Sequence, residues 1–364
     1  MPFTYYALRH DLSYTVHMVG IDISDKSIKI AEIAGKRHPQ LKAVCWSPLP
    51  PNIMRRGVIQ DVNLTVAALR DAMTKCSPGQ VEGNVVVASI PETQSFVRVL
   101  ELPAMPDHEI DEAVQWAVRQ HIPFDLDRVY LDWQPVYDTN VDTKHRHVLV
   151  GAVQKDVVDP LLAVLDGSGL KVAALELEAQ AVVRSILPKD SRDIQGVLVV
   201  DLGATSTNII FFDQGVVRFT TSVQLGGDDL TRQVAHTLNI QPSIAAEQKA
   251  LVGASNLNQT DTAVAIHEVT LALIARVEKV VREIATQFGE SRPIRAIMLS
   301  GGSANLPGIV NVFAEIFPGI PVEMGNPFIN LLGGGDAKAM PLSAADASHF
   351  VTAFGLALRQ IETA

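Results

Sequence analysis

From Val19 to Ile33 the chain reads apolar run, polar break, apolar run ("VGIDISDKSIKIAEI"), which predicts a strand, a short turn and a second strand. "LKAVCWSPL" predicts a third extended segment. Through "DVNLTVAALRDAMTKC" the apolar residues recur at helical spacing, with Asp61 or Asn63 as the cap. The strand "NVVVASI" follows and Pro91 ends it. A mixed sheet with a covering helix is the expectation for this stretch.

"SFVRVLELP" opens a different segment: a strand, a helix from about Asp107 to His121, the strand "RVYLDWQPVY", a polar hairpin loop "DTNVDTKHR" and the strand "HVLVGAV". The helix "KDVVDPLLAVLDGSGL" comes next, with Pro160 expected in its first turn and Gly167 and Gly169 as the stop. Residues 93–170 are therefore expected to form a small α+β module inserted into a larger domain. After the helix and loop of "AQAVVRSILPKDSRDIQ", the run "GVLVVDLGATSTNIIFFDQGVVRFTTSVQLGG" repeats the opening pattern. Asp22 falls on Asp201, Ser24 on Gly203, Ser27 on Ser206 and Lys29 on Asn208, which predicts two related lobes. Residues 226–290 read as helices, and "IRAIMLSGGSANLPGIVNVFAEIF" as a buried strand, a Gly-Gly turn and a helix.

With 364 residues, 47% hydrophobic, the chain is long for one core, so two or more domains are expected. Its 40 acidic and 30 basic side chains give a formal charge of -10, which excludes general attraction to nucleic acid or anionic lipid. Cys45 and Cys76 belong to no metal-ligand spacing and are expected as buried, inert thiols in a reducing cytosolic setting. The start, "MPFTYYALRHDLSYTVHM", has no signal-type apolar run, and no window approaches the roughly 18 apolar residues of a membrane span. Any work at a membrane is expected to go through a partner. The scattered histidines (His17, His38, His121, His145, His147) predict no metal site.

A strand–turn–strand hairpin with aspartate at the end of its first strand can set amides and hydroxyls around phosphate oxygens while the carboxylate holds Mg2+. Asp22, Ser24, Ser27 and Lys29 are the candidates in the first hairpin; Asp201, Gly203, Thr205, Ser206 and Asn208 in the second. Gly301 and Gly302 offer either a close approach to an α-phosphate or ribose, or simply a tight helix–sheet turn.

The two hairpins, the late SGG turn and the helix carrying "AAEQKA" resemble the actin, sugar kinase and heat-shock chaperone ATPase superfamily. "MPDHEIDEAVQWAVRQHIPFDLDRVYLDWQPV" and the ending "FGLALR" look like the PilM family of type IV pilus assembly, which is also similar to FtsA. The resemblance runs from about residue 17 to the final "GLALRQ". It implies an α/β, actin-like (ribonuclease H-like) duplicated two-lobe fold with an inserted small α+β subdomain. Lobe 1 would be 17–92 completed by 171–195 and 340–364, the insert 93–170, lobe 2 196–225 and 291–339, and a helical subdomain 226–290. It also implies Mg2+ and ATP in the interdomain cleft, gripped from both sides, with Asp22 and Asp201 on the metal. Glu247 and Lys249 fall where relatives hold ribose and adenine, although they read equally as a solvated helix face. Glu178, in "LELEAQA", falls where some relatives polarise the attacking water, or is an ordinary strand-end residue. Ser24 replaces the usual glycine and adds a Cβ where backbone should approach phosphate.

The resemblance implies a cytosolic ATP-binding scaffold of the pilus inner-membrane assembly platform, working with platform and motor proteins. It would hold the N-terminal cytoplasmic peptide of a PilN-like membrane protein beside the insert and hydrolyse ATP slowly or not at all; weak ATPase activity and homo-oligomers stay open. A nucleotide that favours a closed form would bias the partner site. The alternatives are a sugar or acyl kinase, which needs a second acidic motif beyond Glu178, and an FtsA-like filament former, for which "RQIETA" supplies no basic-apolar anchor.

Overall fold

The computed structural model describes residues 17–35, 37–119, 125–136, 145–254, 260–332 and 340–359. The start, the "QHIPF" part of the insert, most of its polar hairpin loop and the last five residues lie outside the described residues. The chain divides into two compact units, one comprising the residues to Lys189, Phe328–Pro341 and those from Phe350 on, the other Asp190–Pro327 and Leu342–His349.

The first unit is built on β1 (His17–Ile23), β2 (Ser27–Ala34), β3 (Gln40–Pro48), a small hairpin of β4 (Met54–Arg55) and β5 (Val58–Ile59), α1 (Val62–Met73), β6 (Cys76–Pro78) and β7 (Val85–Ile90). Then come β8 (Ser95–Pro103), α2 (Ile110–Arg119), β9 (Val129–Val136), β10 (His145–Gln154), α3 (Lys155–Gly167), β11 (Lys171–Leu177) and α4 (Glu178–Ile186). The large sheet has the order β11-β7-β1-β2-β3-β6. β7 is buried at every residue, as a central parallel strand must be, and its sequence is accordingly an almost unbroken apolar run. Asp61 caps α1 by accepting the Leu64 N–H at 2.9 Å.

The insert is a three-stranded sheet, β8-β10-β9. It carries α2, whose Ile110, Val114 and Val118 recur every four residues and meet Leu100, Leu102, Val148 and Val150 in a core of their own. α3, read from sequence as part of this module, packs on α1 and β11 of the large sheet, and Arg70 Nη2 donates to the Gly167 carbonyl at 2.7 Å. Pro160 is the sixth residue of α3, not in its first turn, because the helix starts directly at the end of β10. Cys45 and Cys76, expected as thiols, are directly opposed on β3 and β6 and joined as a disulfide. Strand register brings them together, and their spacing of 31 carries no trace of it.

The second unit contains β12 (Val197–Leu202), β13 (Thr207–Asp213), β14 (Val216–Val223), α5 (Gly227–Leu238), α6 (Pro242–Val252), α7 (Asp261–Phe288), β15 (Ala296–Ser300), α8 (Ile309–Ile316), β16 (Val322–Met324) and α9 (Ala344–Ala347). α10 (Val351–Ala357) returns to the first unit, against β1 and α4. One stripe of α7, including Ile266, Leu273, Val277 and Ile284, buries against Leu198, Val200 and Phe211 of the sheet.

The second sheet runs β14-β13-β12-β15-β16. Substituting β3, β2, β1, β7 and β11 in turn reproduces the order and every strand direction of the first unit. The duplication read from the two acidic turns is thus a duplication of whole sheets, and the fold is actin-like α/β.

Candidate functional site

In the first hairpin Asp22 pairs in register with Lys29, and the Ser24 N–H donates to the Ser27 carbonyl at 3.0 Å to close the turn. The Ser24 hydroxyl donates to that same carbonyl at 3.0 Å, so the extra Cβ is accommodated and its oxygen reinforces the turn. Asp22 is buried, and its two oxygens are taken up inside the protein. Lys29 Nζ lies 3.2 Å from Oδ2, and the Ser89 hydroxyl donates to Oδ1 at 3.0 Å.

The second hairpin has the same frame. Asp201 pairs with Asn208, and the Gly203 N–H donates to the Ser206 carbonyl at 3.0 Å. Thr205 and Ser206 are half-buried at its tip. The sheet neighbour that corresponds to Ser89 is Ser300, level with Asp201 on β15. Its hydroxyl is buried and has no hydrogen-bond partner among the described residues. The two rows therefore differ. Around Asp22 a lysine and a serine neutralise and satisfy the carboxylate, whereas the lysine position beside Asp201 holds a neutral asparagine and the serine hydroxyl is left over.

The start of α5 and the turn carrying Ser303 converge on this second hairpin, and Lys249 of α6 braces the first of them. Gly227 N–H and Asp228 N–H, which open α5, donate to the Gly203 and Ala204 carbonyls at 3.0 and 2.8 Å. The Ser303 hydroxyl donates to the Gly203 carbonyl at 2.9 Å. Lys249 reaches from α6 to the Gly227 carbonyl and the Thr231 hydroxyl, at 2.8 and 2.9 Å. Burial holds the Lys249 ammonium below its ordinary pKa, and the Asp228 carboxylate only partly offsets this. Gly301 has φ 84° and ψ 164°, a conformation open essentially to glycine alone. A Cβ there would lie 2.5 Å from the Leu202 carbonyl and 2.8 Å from Asp201 Oδ1. A Cβ at Gly302 would run into the His349 ring. Both glycines are thus demanded by the protein's own packing. The α-helix expected straight after them is preceded by a single 3₁₀ turn, Gly302–Asn305, and α8 starts only at Ile309. Asn305 Nδ2 instead ties the turn to the Ala345 carbonyl and the Ser348 hydroxyl.

The structure therefore brings Asp201, Gly203, Thr205, Ser206, Asn208, Lys249, Gly301 and Gly302 together in the second unit, and Asp22, Ser24, Ser27 and Lys29 in the first. Glu247 is exposed on α6, apart from the turn that Lys249 holds. Glu178 is the first residue of α4, directly after β11. Sequence reasoning missed Ser89, Ser300, Gly227 and Ser303. Extending the repeat one strand further would have found the two serines, since "VVVAS" and "AIMLS" end alike.

The groups of the second row are hard oxygen donors: the Asp201 carboxylate, the Ser300 hydroxyl level with it, and the hydroxyls of Thr205 and Ser206 at the hairpin tip. That suits Mg2+, which takes one or two carboxylates and fills its other positions with water and phosphate oxygen. Among the described residues no three His, Cys, Asp or Glu side chains group as a self-sufficient metal site.

The chain matches the family described as type IV pilus assembly protein PilM over residues 20–361. It is 23% identical over 347 residues to the cell division protein FtsA of Streptococcus pneumoniae, covering 85% of this chain and 75% of that one. Among solved structures it is similar to the PilM–PilN type IV pilus biogenesis complex, with TM-score 0.80, 24% identity and coverage of 95% and 99%. The ethanolamine utilization protein EutJ of Carboxydothermus hydrogenoformans follows at TM-score 0.54, 16% identity and coverage of 94% and 89%. MreB 5 of Spiroplasma citri bound to AMPPNP gives 0.52, 12%, and 88% and 95%.

Proposed function

The chain belongs to the type IV pilus assembly protein PilM family, and from that premise we propose that it is a nucleotide-binding scaffold of the pilus assembly platform. It holds ATP with Mg2+ and the N-terminal cytoplasmic peptide of a PilN-like membrane protein. The observation that carries the nucleotide half is the asymmetry of the duplicated rows. Asp22 is charge-balanced by Lys29 from within, while the matching positions beside Asp201 hold a neutral asparagine and a buried serine hydroxyl with no hydrogen-bond partner among the described residues. Asp201 is the residue to hold the metal, and Lys29 already supplies a cation where the first hairpin would need one. Thr205 and Ser206 offer hydroxyls to phosphate oxygens, and Lys249 fixes the turn at Gly227 rather than touching base or sugar.

The likeness to a PilM–PilN complex supports a PilN-like partner. No helix among the described residues is long and apolar enough to cross a membrane. In the proposed assembly the PilN-like membrane protein brings the chain to the cytoplasmic face of the inner membrane. Turnover is slow or absent: stabilising charge at a transferring phosphoryl group calls for a further cation and a positioned water, and Glu178, as first residue of α4, is the sole carboxylate the reading assigns to that task.

Fluorescence polarisation of the labelled partner peptide, with and without Mg-ATP, tests the assignment. The peptide binds, and saturating Mg-ATP changes its affinity, as two ligands with unequal affinities for two conformations require. A peptide that fails to bind in either condition contradicts the scaffold reading.

A further inference from the structure

We propose that Asp25 is a positioning residue that locks the first acidic hairpin to the small α+β module through the turn between β4 and β5. Asp25 lies at the tip of the Asp22–Lys29 hairpin. Its Oδ2 accepts the Arg56 N–H and its Oδ1 the Gly57 N–H, each at 2.8 Å. On the other side of that turn the Arg56 carbonyl accepts from Gln94 Nε2 at 2.7 Å and from the Thr93 hydroxyl at 3.5 Å. Thr93 and Gln94 lead directly into β8, the first strand of the module.

Arg56 at φ 50° and Gly57 at φ 79° are the left-handed pair of a two-residue hairpin loop between β4 and β5. The loop is fastened from outside the small hairpin as well: a carboxylate from one element takes its amides, and an amide side chain from another takes its carbonyl. A Cβ at Gly57 would lie 2.7 Å from Pro91, so the turn is also wedged against the start of the module.

The segment Glu92–Gln94 has a third attachment. The Glu92 carboxylate accepts the Ala179 N–H at 3.4 Å, one residue after Glu178. Hairpin, module and the start of α4 thus meet within a few residues.

The repeat itself points to a dedicated device. In the register that aligns Asp22 with Asp201, Asp25 falls on Ala204, which has no side chain able to clamp anything. The carboxylate occurs in the unit that carries the module and not in its duplicate. Coupling stands on these contacts alone; only its consequence, that an occupied hairpin biases the partner-binding module, rests on the nucleotide reading.

Hydrogen–deuterium exchange on the full chain tests it, using Asp25→Ala, Gln94→Ala and the double variant. Asp25→Ala speeds exchange by a factor of roughly five at Arg56, Gly57 and the first residues of β8, the factor that about 1 kcal/mol of lost hydrogen bonding makes. Gln94→Ala reaches back across the turn to residues 24–27, and the double variant exchanges no faster at β8 than the single ones, because both act through one turn. Effects confined to each residue's own side, or additive in the double variant, overturn the proposal. Asp25→Asn keeps one acceptor oxygen and gives an intermediate effect, which stands in should the alanine variant fold poorly. Calorimetry with Mg-ATP on the same samples keeps the two claims apart: absence of nucleotide binding counts against the nucleotide reading, while exchange that crosses the turn still supports the lock.

Discussion

Glu176 shows how much one residue can carry. Its carboxylate is buried at the end of β11, receives Arg184 Nη1 at 2.7 Å and has Arg359 Nη1 at 3.8 Å; Arg184 in turn donates to the Gly355 carbonyl of α10 at 2.8 Å. Burial alone would raise its pKa, but the charge and hydrogen bonds of Arg184, with Arg359, outweigh burial and hold it below its ordinary 4.5. Since the unfolded chain then binds more protons than the folded one, this group's stabilisation is complete above 4.5 and is lost as pH falls through the lowered folded value. Acid titration of thermal unfolding should show that loss in the wild type and a shallower one in Glu176→Gln. At neutral pH the same substitution removes the negative charge that Arg184 and Arg359 face and should cost about 3 kcal/mol.

At the scale of elements, the turns of the second unit carry the strongest constraint. Gly301→Ala must place a Cβ against the Leu202 carbonyl in a conformation reserved for glycine, a cost of about 2 kcal/mol or more by thermal unfolding. It should also push on Asp201 and weaken nucleotide binding beyond the stability loss. The hairpins and the long α7 were legible because period-2 and period-3.6 patterns are strong there. Less was legible where tertiary contacts decide. Pro160 lies inside α3 because β10 runs straight into the helix, and the stretch after Gly302 is spent on one 3₁₀ turn before α8 begins. The Cys45–Cys76 bond depends on β3–β6 register that neither strand states by itself.

For the whole molecule, the matched aspartates Asp22 and Asp201 foretold duplicated sheets, and the structure extends the match to five strands in each unit with the same order and directions. The replacement of Lys29 by Asn208 was legible in the aligned repeat. The other difference, Ser89 bonded to Asp22 and Ser300 without a hydrogen-bond partner among the described residues, follows from which side chains face each other across neighbouring strands. The meeting of Gly227 and Ser303 on the Gly203 carbonyl, with Lys249 bracing Gly227, is likewise a product of folding, since these residues span more than seventy positions of sequence. That the second row holds the metal of a bound nucleotide is decided by isothermal calorimetry of ATP with and without Mg2+, on the intact chain and on Asp201→Ala. Magnesium-dependent binding is expected, weakened in Asp201→Ala by roughly tenfold or more, about 1.4 kcal/mol, with the variant's circular dichroism unchanged. Equal affinity in the two proteins, or no binding to the intact chain, would contradict it.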